Sequence, residues 1–233
     1  MCTVTFVPLK NNDFILCSNR DESPKRKTLP PSKHQLNGIT ALFPQDKLAG
    51  GPWIGTSDLN RVACIMNGGF EPYDFTKEFA KSRGLIVTEV LTTLSLPDYF
   101  LTLDLEGTAP FTLILVEFTE QLTLKEFIWD GSKLHQKNLP ITTKIWSSRQ
   151  LYSPETAKLR EDWFAMFLEQ NELKQEHLLA FHKHAGVGDP LTNLVMNRDF
   201  VKTTSISSFL KNKDEIRFSY EELASGSIVN TSL

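Results

Sequence analysis

Three cysteines in 233 residues, Cys2, Cys17 and Cys64, are too few and too unevenly spaced for a disulfide framework or a zinc site. They suit a reducing compartment. Charge of one sign is also scarce. The 25 basic and 28 acidic side chains leave a net charge of −3, which argues against a nucleic-acid surface. Long apolar runs are missing, and a run such as residues 113–116 is far too short to span a bilayer. No basic stretch leads into an apolar one at the N-terminus, so no secretory signal is expected. Together these absences predict a cytoplasmic protein without a transmembrane segment. Histidines are few, and His177 and His182 stand five apart, off a shared helix face, so no metal site is expected. What remains is 40% hydrophobic and 23% charged, enough for a core without staples, and the length reads as one domain over residues 1–233.

What is present concentrates at the start of the chain. Two β-rich runs within residues 1–22 are separated by Lys10-Asn11-Asn12-Asp13, a polar cluster of the kind that closes a hairpin. A two-residue turn at Asn11-Asn12 would pair Lys10 with Asp13, Val4 with Asn19 and Cys2 with Asp21. Directly opposed residues lie about 5 Å apart at Cβ. This register predicts the Cys2 thiol beside the Asp21 carboxylate.

A cysteine after the initiator methionine, delivered next to Arg20 and Asp21, fits N-terminal nucleophile hydrolysis. With Met1 removed, Cys2 would carry a thiol and a free α-amine, with reference pKa values of about 8.5 and about 8 that need little tuning. The amine then acts as base for its own side chain. Arg20 would stabilise the thiolate, and Asp21 would hold the ammonium or orient the substrate. The plainer alternative is a small hydrophobe opening a strand, with Asn19 to Glu22 as the polar end of the next.

Met1-Cys2-Thr3-Val4-Thr5-Phe6 followed by Ser18-Asn19-Arg20-Asp21-Glu22 resembles the NRDE family, named for that tetrapeptide, which includes the transport and Golgi organisation proteins of animals. Further matches are Gly50-Gly51-Pro52-Trp53-Ile54-Gly55, Asn67 after a short strand, Ser82-Arg83-Gly84, and Trp146-Ser147-Ser148 ahead of Leu151-Tyr152. The resemblance implies an α+β fold, a four-layer αββα sandwich of two antiparallel sheets like that of the N-terminal nucleophile hydrolases. Members have been linked both to hydrolase-type chemistry and to haem or acyl-lipid handling. In related N-terminal cysteine hydrolases an Asn after such a strand supplies an oxyanion donor, which makes Asn67 the candidate. Three departures stand out. Pro52 replaces the usual Thr, Ser147-Ser148 stands where a Leu-Ser-Asn run is common, and Lys202 is the nearest substitute for the arginine of a Tyr-Gly-Thr-Arg-type run.

Along the chain, residues 23–38 hold three prolines and several cations and predict an exposed loop, either a solvated face or a seat for an anion. The glycines of 50–55 lack phosphate-loop spacing and allow tight backbone geometry, with Trp53 as a pocket wall or a plain core residue. Residues 61–66 form an apolar strand, and Asn67-Gly68 is either the oxyanion turn or an ordinary one. Ser82 caps a helix with Ile86, Val90 and Leu94 on one face, stopped by Pro97. Arg83 in its first turn opposes the helix dipole, hinting at a ligand or carboxylate partner, with a surface ion pair as the alternative.

Residues 111–118 and 122–129 predict a hairpin, and Asp130-Gly131 turns toward a strand near Leu134. After a short strand at 143–148, Ser153-Pro154-Glu155 opens a helix with Leu159, Trp163 and Phe167 as its buried stripe. Residues 200–206 and 215–220 predict strands, and 225–233 a polar tail.

Two functions follow. The first is a hydrolase acting on an amide or acyl bond of a small molecule, with Cys2, Arg20, Asp21 and Asn67 catalytic and Asn19, Trp53, Arg83, Ser147 and Ser148 as ligand contacts. The second is a non-catalytic carrier of haem or an acyl lipid in the same pocket. No cofactor is needed for either, haem entering only as ligand, and the oligomeric state is left open.

Overall fold

The computed structural model describes residues 2–74 and 76–233, with Cys2 described in its backbone only. In chain order the elements are β1 (Cys2–Pro8), β2 (Phe14–Glu22), β3 (Thr28–Leu36), β4 (Ile39–Asp46), β5 (Ile54–Ser57) and β6 (Arg61–Asn67). Then come α1 (Arg83–Thr92), α2 (Leu96–Thr102), β7 (Phe111–Phe118), β8 (Leu122–Trp129), β9 (Leu134–Leu139) and β10 (Lys144–Ser147). The chain closes with α3 (Pro154–Gln170), α4 (Gln175–His184), β11 (Asn197–Arg198), β12 (Val201–Asn212), β13 (Glu215–Glu222) and β14 (Ser227–Ser232). These fall into two compact units, one of residues up to Arg26 with Thr142–Ser232, the other Lys27–Ile141.

The first unit is an antiparallel sheet in the order β10-β1-β2-β12-β13-β14, with β11 added beside β12. Helices α3 and α4 cover one face. Val7, Ile15 and Cys17 from the β1–β2 hairpin meet Phe164 and Phe167 of α3 and Leu178 and Phe181 of α4 in one apolar cluster. The second unit is a sequential meander, β3-β4-β5-β6-β7-β8-β9, with α1 packed on β4, β5 and β6. Each unit thus joins one sheet to helices.

The hairpin forms where expected, but its register differs by one residue. Cys2 pairs with Arg20 and Val4 with Ser18, not with Asp21 and Asn19. The cause is the turn. Three residues, Lys10–Asn12, are spent on it, with Leu9 N donating to the Asp13 carbonyl (2.8 Å) and Asp13 N to that of Lys10 (3.2 Å). Asn11 and Asn12 both adopt positive φ, which Asn tolerates better than most residues. One extra turn residue moves every pair by one, and with period-two alternation it reassigns which side chains share a face.

Other expectations change for local reasons. Residues 28–36 are the edge strand β3 and not a loop. Pro30 and Pro31 fall at a register shift between Leu29 and Ser32, where no ladder donor is required of them. Pro97 does not only end a helix but starts α2, behind a Ser95 cap. The expected tail pairs with β13 as β14. In α3 the Ser153 cap and Pro154 stand as read, but the buried stripe is Arg160, Phe164 and Phe167, while Leu159 is exposed. A charged side chain has taken the inward position. Likewise Ile86 and Val90 of α1 are buried, whereas Leu94 lies beyond the helix end in solvent.

Candidate functional site

Of the residues singled out by sequence, Cys2, Asn19, Arg20, Asp21, Ser147 and Ser148 belong to the first unit and Trp53, Asn67 and Arg83 to the second. The Cys2 thiol, and hence its distance from Asp21, lies outside the described residues. Its backbone closes the paired end of the hairpin opposite Arg20, a buried side chain that pairs on its other side with Ser205 of β12. Asp21 is one step further along β2, opposite Thr203, where a bulge between Thr203 and Ser205 shifts the β2–β12 register.

Asp21 is fully buried, and each of its oxygens accepts a hydroxyl. Tyr152 Oη donates to Oδ2 at 2.6 Å and Thr203 Oγ1 to Oδ1 at 2.6 Å. Burial pushes its carboxyl above the usual carboxylate range, and the Arg160 charge with the two hydroxyls pulls it back. Burial and the neighbouring carboxylate hold the Tyr152 phenol well above its ordinary pKa, so it stays a donor. Tyr152 is set by the segment after β10. The Ser148 carbonyl accepts from both Leu151 N (3.1 Å) and Tyr152 N (3.0 Å), a turn that folds the ring over Arg160, whose guanidinium carbon is 3.6 Å from the ring centroid. Arg198 approaches the same ring at 5.3 Å.

Arg160 itself is fully buried. It donates to Thr3 Oγ1, to the Thr192 carbonyl (3.0 Å from Nη2) and to the Asn193 carbonyl (2.6 Å). The charged side chain that displaced the expected apolar stripe therefore ties α3 to β1, one residue from Cys2, and to the loop after α4.

Asn19 and His182 form the second knot. Asn19 Nδ2 donates to the carbonyls of His182 (3.0 Å) and Leu194 (2.8 Å), which leaves Oδ1 to accept from His182 Nδ1 at 2.6 Å. His182 Nε2 then accepts from Thr5 Oγ1 at 2.7 Å, and this network assigns the Nδ1–H tautomer. Burial, with Arg160 nearby, lowers the His182 pKa to about 3. Asn19, expected as a ligand contact, has its amide committed to α4 and the following loop. Among the described residues no group of three His, Cys, Asp or Glu is placed to hold a metal ion.

In the second unit, the Gly50-Gly51-Pro52 turn and Ser82-Arg83-Gly84 prove to be one contact. A Cβ on Gly51 would stand 2.7 Å from the Gly84 carbonyl carbon, so backbone meets backbone. Trp53 is buried beside this turn. Arg83 Nη1 donates to Tyr73 Oη (3.0 Å) and to the Pro110 carbonyl (3.2 Å), where sequence had suggested a carboxylate or ligand. Asn67 ends β6 opposite Phe111, and Gly68 N donates to that same Pro110 carbonyl (3.0 Å). Tyr73 and Pro110 also line a cleft of about 1010 Å³, walled by Phe79, Phe100 and Trp129 and carrying Lys77 and Lys133. Arg83 and the Asn67 turn thus adjoin the cleft.

Sequence reading passes over Arg160, His182 and Thr203 as a set, because their meeting depends on α3, α4 and β12 packing on the hairpin. Tyr152 was visible only as the end of a motif without a role.

A family model described as Transport and Golgi organisation 2 matches residues 1–222. No curated protein matches in sequence. Among solved structures, the Caenorhabditis elegans ortholog of N-acylethanolamine-hydrolyzing acid amidase gives a TM-score of 0.64 at 11% identity, over 90% of this chain and 92% of that one. Two variants of conjugated bile acid hydrolase from Clostridium perfringens, one of them the C2A mutant, give 0.56 and 0.55 at 12% and 13% identity. They cover 99% and 100% of this chain and 92% of their own. The likeness shows the fold, an α+β arrangement of two antiparallel sheets with helices like that of the N-terminal nucleophile hydrolases, as the resemblance implies. No helix among the described residues is long and apolar enough to cross a membrane.

Proposed function

The chain belongs to the Transport and Golgi organisation 2 family, and on that premise we propose that it is an N-terminal cysteine nucleophile hydrolase acting on an amide or acyl bond of a small molecule. The observation that carries the reading is Asp21, a buried carboxylate with both oxygens hydrogen-bonded, one residue beyond the Arg20 that pairs with Cys2. With Met1 removed, the Cys2 α-amine takes the thiol proton. The thiolate attacks the carbonyl carbon, a C–S bond forms, and charge develops on the carbonyl oxygen. Collapse breaks the bond to the leaving group, which takes the proton from the α-ammonium, and water then hydrolyses the thioester. Arg20 stabilises the thiolate, and Asp21 holds the ammonium. Ser147 and Ser148 remain proposed ligand contacts. One neighbour in fold is named as an N-acylethanolamine-hydrolyzing acid amidase and the others as conjugated bile acid hydrolase, and C2A marks a cysteine at position two in one of these.

Intact mass of the purified full chain is expected to show loss of Met1. Amine release from an N-acylethanolamine or a conjugated bile acid is expected to vanish in Cys2→Ala. Retained Met1, or iodoacetamide labelling of Cys2 no faster than of Cys17 and Cys64, would overturn the reading.

A second reading rests on the cleft of the second unit, whose volume and aromatic walls suit a large ligand such as haem or an acyl lipid carried without chemistry. Trp129 lines it, so quenching of its fluorescence on titration, weakened by Phe100→Ala, is the expected sign.

A further inference from the structure

Leu151-Tyr152 entered the sequence comparison as a motif without a task, and the hydrolase mechanism above leaves it unused. The structure fixes Tyr152 at both its backbone and its ring beside Asp21. Its backbone is held by the Ser148 carbonyl, its ring centroid is 3.6 Å from the Arg160 guanidinium carbon and 5.3 Å from that of Arg198, and its hydroxyl meets Asp21 at 2.6 Å. The ring is 2% exposed, so water does not compete for that hydroxyl.

We propose that Tyr152 is a positioning residue for Asp21: its phenol, clamped on Arg160, keeps the carboxylate ionised and aimed along the end of β2 toward the start of β1. That the beneficiary is the Cys2 amine rests on the hydrolase reading. The hold on the carboxylate does not.

The physics is a division of labour. A buried carboxylate tends to take up a proton, and each hydroxyl donor favours the charged form because an ionised oxygen is the better acceptor. Thr203 supplies the first donor from β12, and its Oγ1 also serves the Leu194 carbonyl at 3.2 Å. Tyr152 supplies the second and gives it to Asp21 alone. Arg160 adds the compensating charge from α3, and it also donates to Thr3 and to loop carbonyls. Arg198 approaches the Tyr152 ring, Arg20 and Glu22 flank Asp21 along β2, and Lys202 stands opposite Glu22 on β12. His182 from α4 stays neutral. A phenylalanine at 152 would keep the ring in its clamp and remove only the donor.

The test follows the carboxyl itself. In the full chain with ¹³C-carboxyl-labelled aspartate, the Asp21 resonance, assigned through Asp21→Asn, is titrated from neutral to acid pH by NMR. In Tyr152→Phe it is expected to protonate about one to two pH units higher, the loss of one hydrogen bond to a charged group. Thr203→Val should move it in the same direction and Thr203→Ser should restore it. That pair keeps the test alive if Tyr152→Phe does not fold. An unmoved Asp21 titration in both Tyr152→Phe and Thr203→Val overturns the proposal. The pH profile of iodoacetamide labelling at Cys2 is read on the same samples. A shifted carboxyl with an unshifted thiol profile leaves Tyr152 as the holder of Asp21 and counts against the hydrolase reading instead.

Discussion

Asn19 and His182 grip each other twice: the asparagine amide donates to the histidine's own carbonyl at 3.0 Å, and its oxygen accepts from the imidazole Nδ1 at 2.6 Å. With Thr5 on the other ring nitrogen, the buried imidazole would have to take its second proton where it now accepts a hydroxyl. Acid should therefore loosen this layer. The folded His182 pKa of about 3 lies below the ordinary 6.5, so the unfolded chain binds the proton first as pH falls. Stability from this group is complete above the ordinary value and drains between the two. Relative to His182→Gln, the wild type is expected to lose about 1.4 kcal/mol per pH unit in that window. Urea unfolding at a series of pH values measures it, and parallel curves would contradict it.

Removing the Asp21 charge should cost more than removing one hydroxyl. Asp21→Asn leaves Arg160 buried without its counter-charge and turns an acceptor toward a mixed donor. A loss of about 3–5 kcal/mol is expected, the usual penalty for breaking a buried charge pair. Chemical denaturation at neutral pH reads it, and Asp21→Asn within 1 kcal/mol of wild type (about the size of one ordinary hydrogen bond) would count against Arg160 as its partner.

The three thiols should separate by environment. Cys17 is wholly buried beside Ser208, and burial pushes its pKa up to about 12. Cys64 is buried as well. Neither is expected to react with iodoacetamide until the chain unfolds, so native labelling should disappear in Cys2→Ala. Mass spectrometry of the labelled peptides locates the reagent, and label on native Cys17 would show its strand opening.

Gly51→Ala and Gly84→Ala probe a contact and not a torsion. Each new Cβ would press on backbone atoms of the other glycine at 2.7 and 2.9 Å, and neither backbone can swing aside as a side chain would. Each substitution is expected to destabilise by about 1–3 kcal/mol. The double variant should cost less than the sum, because the first displacement makes space for the second. Thermal unfolding of the three variants tests this, and strict additivity would argue against a shared contact.

Much of the fold could be read from the chain because its signals are local. The β7–β8 hairpin lies at the bounds its two apolar, β-rich runs indicate, and Ser82 and Ser153 cap the helices their side chains announce. The misreadings came where a local cue had two outcomes. Proline marks a loop or an edge strand, and Pro30 and Pro31 took the edge. Asn-Asn closes a two-residue turn or part of a longer one, and the longer turn moved Cys2 from Asp21 to Arg20.

By itself the sequence determined several of the elements, the family to which the chain belongs and the polar block from Asn19 to Glu22, since capping, local patterning and motif spacing act between residues close in the chain. Only the tertiary structure decided that Arg160 turns inward, that Tyr152 reaches Asp21 across 131 positions, and that Asn19 serves a histidine 163 positions away. Those pairings depend on which helix faces which strand. That choice is made by burying charge and hydrogen-bond donors together, where neither could be left alone out of water.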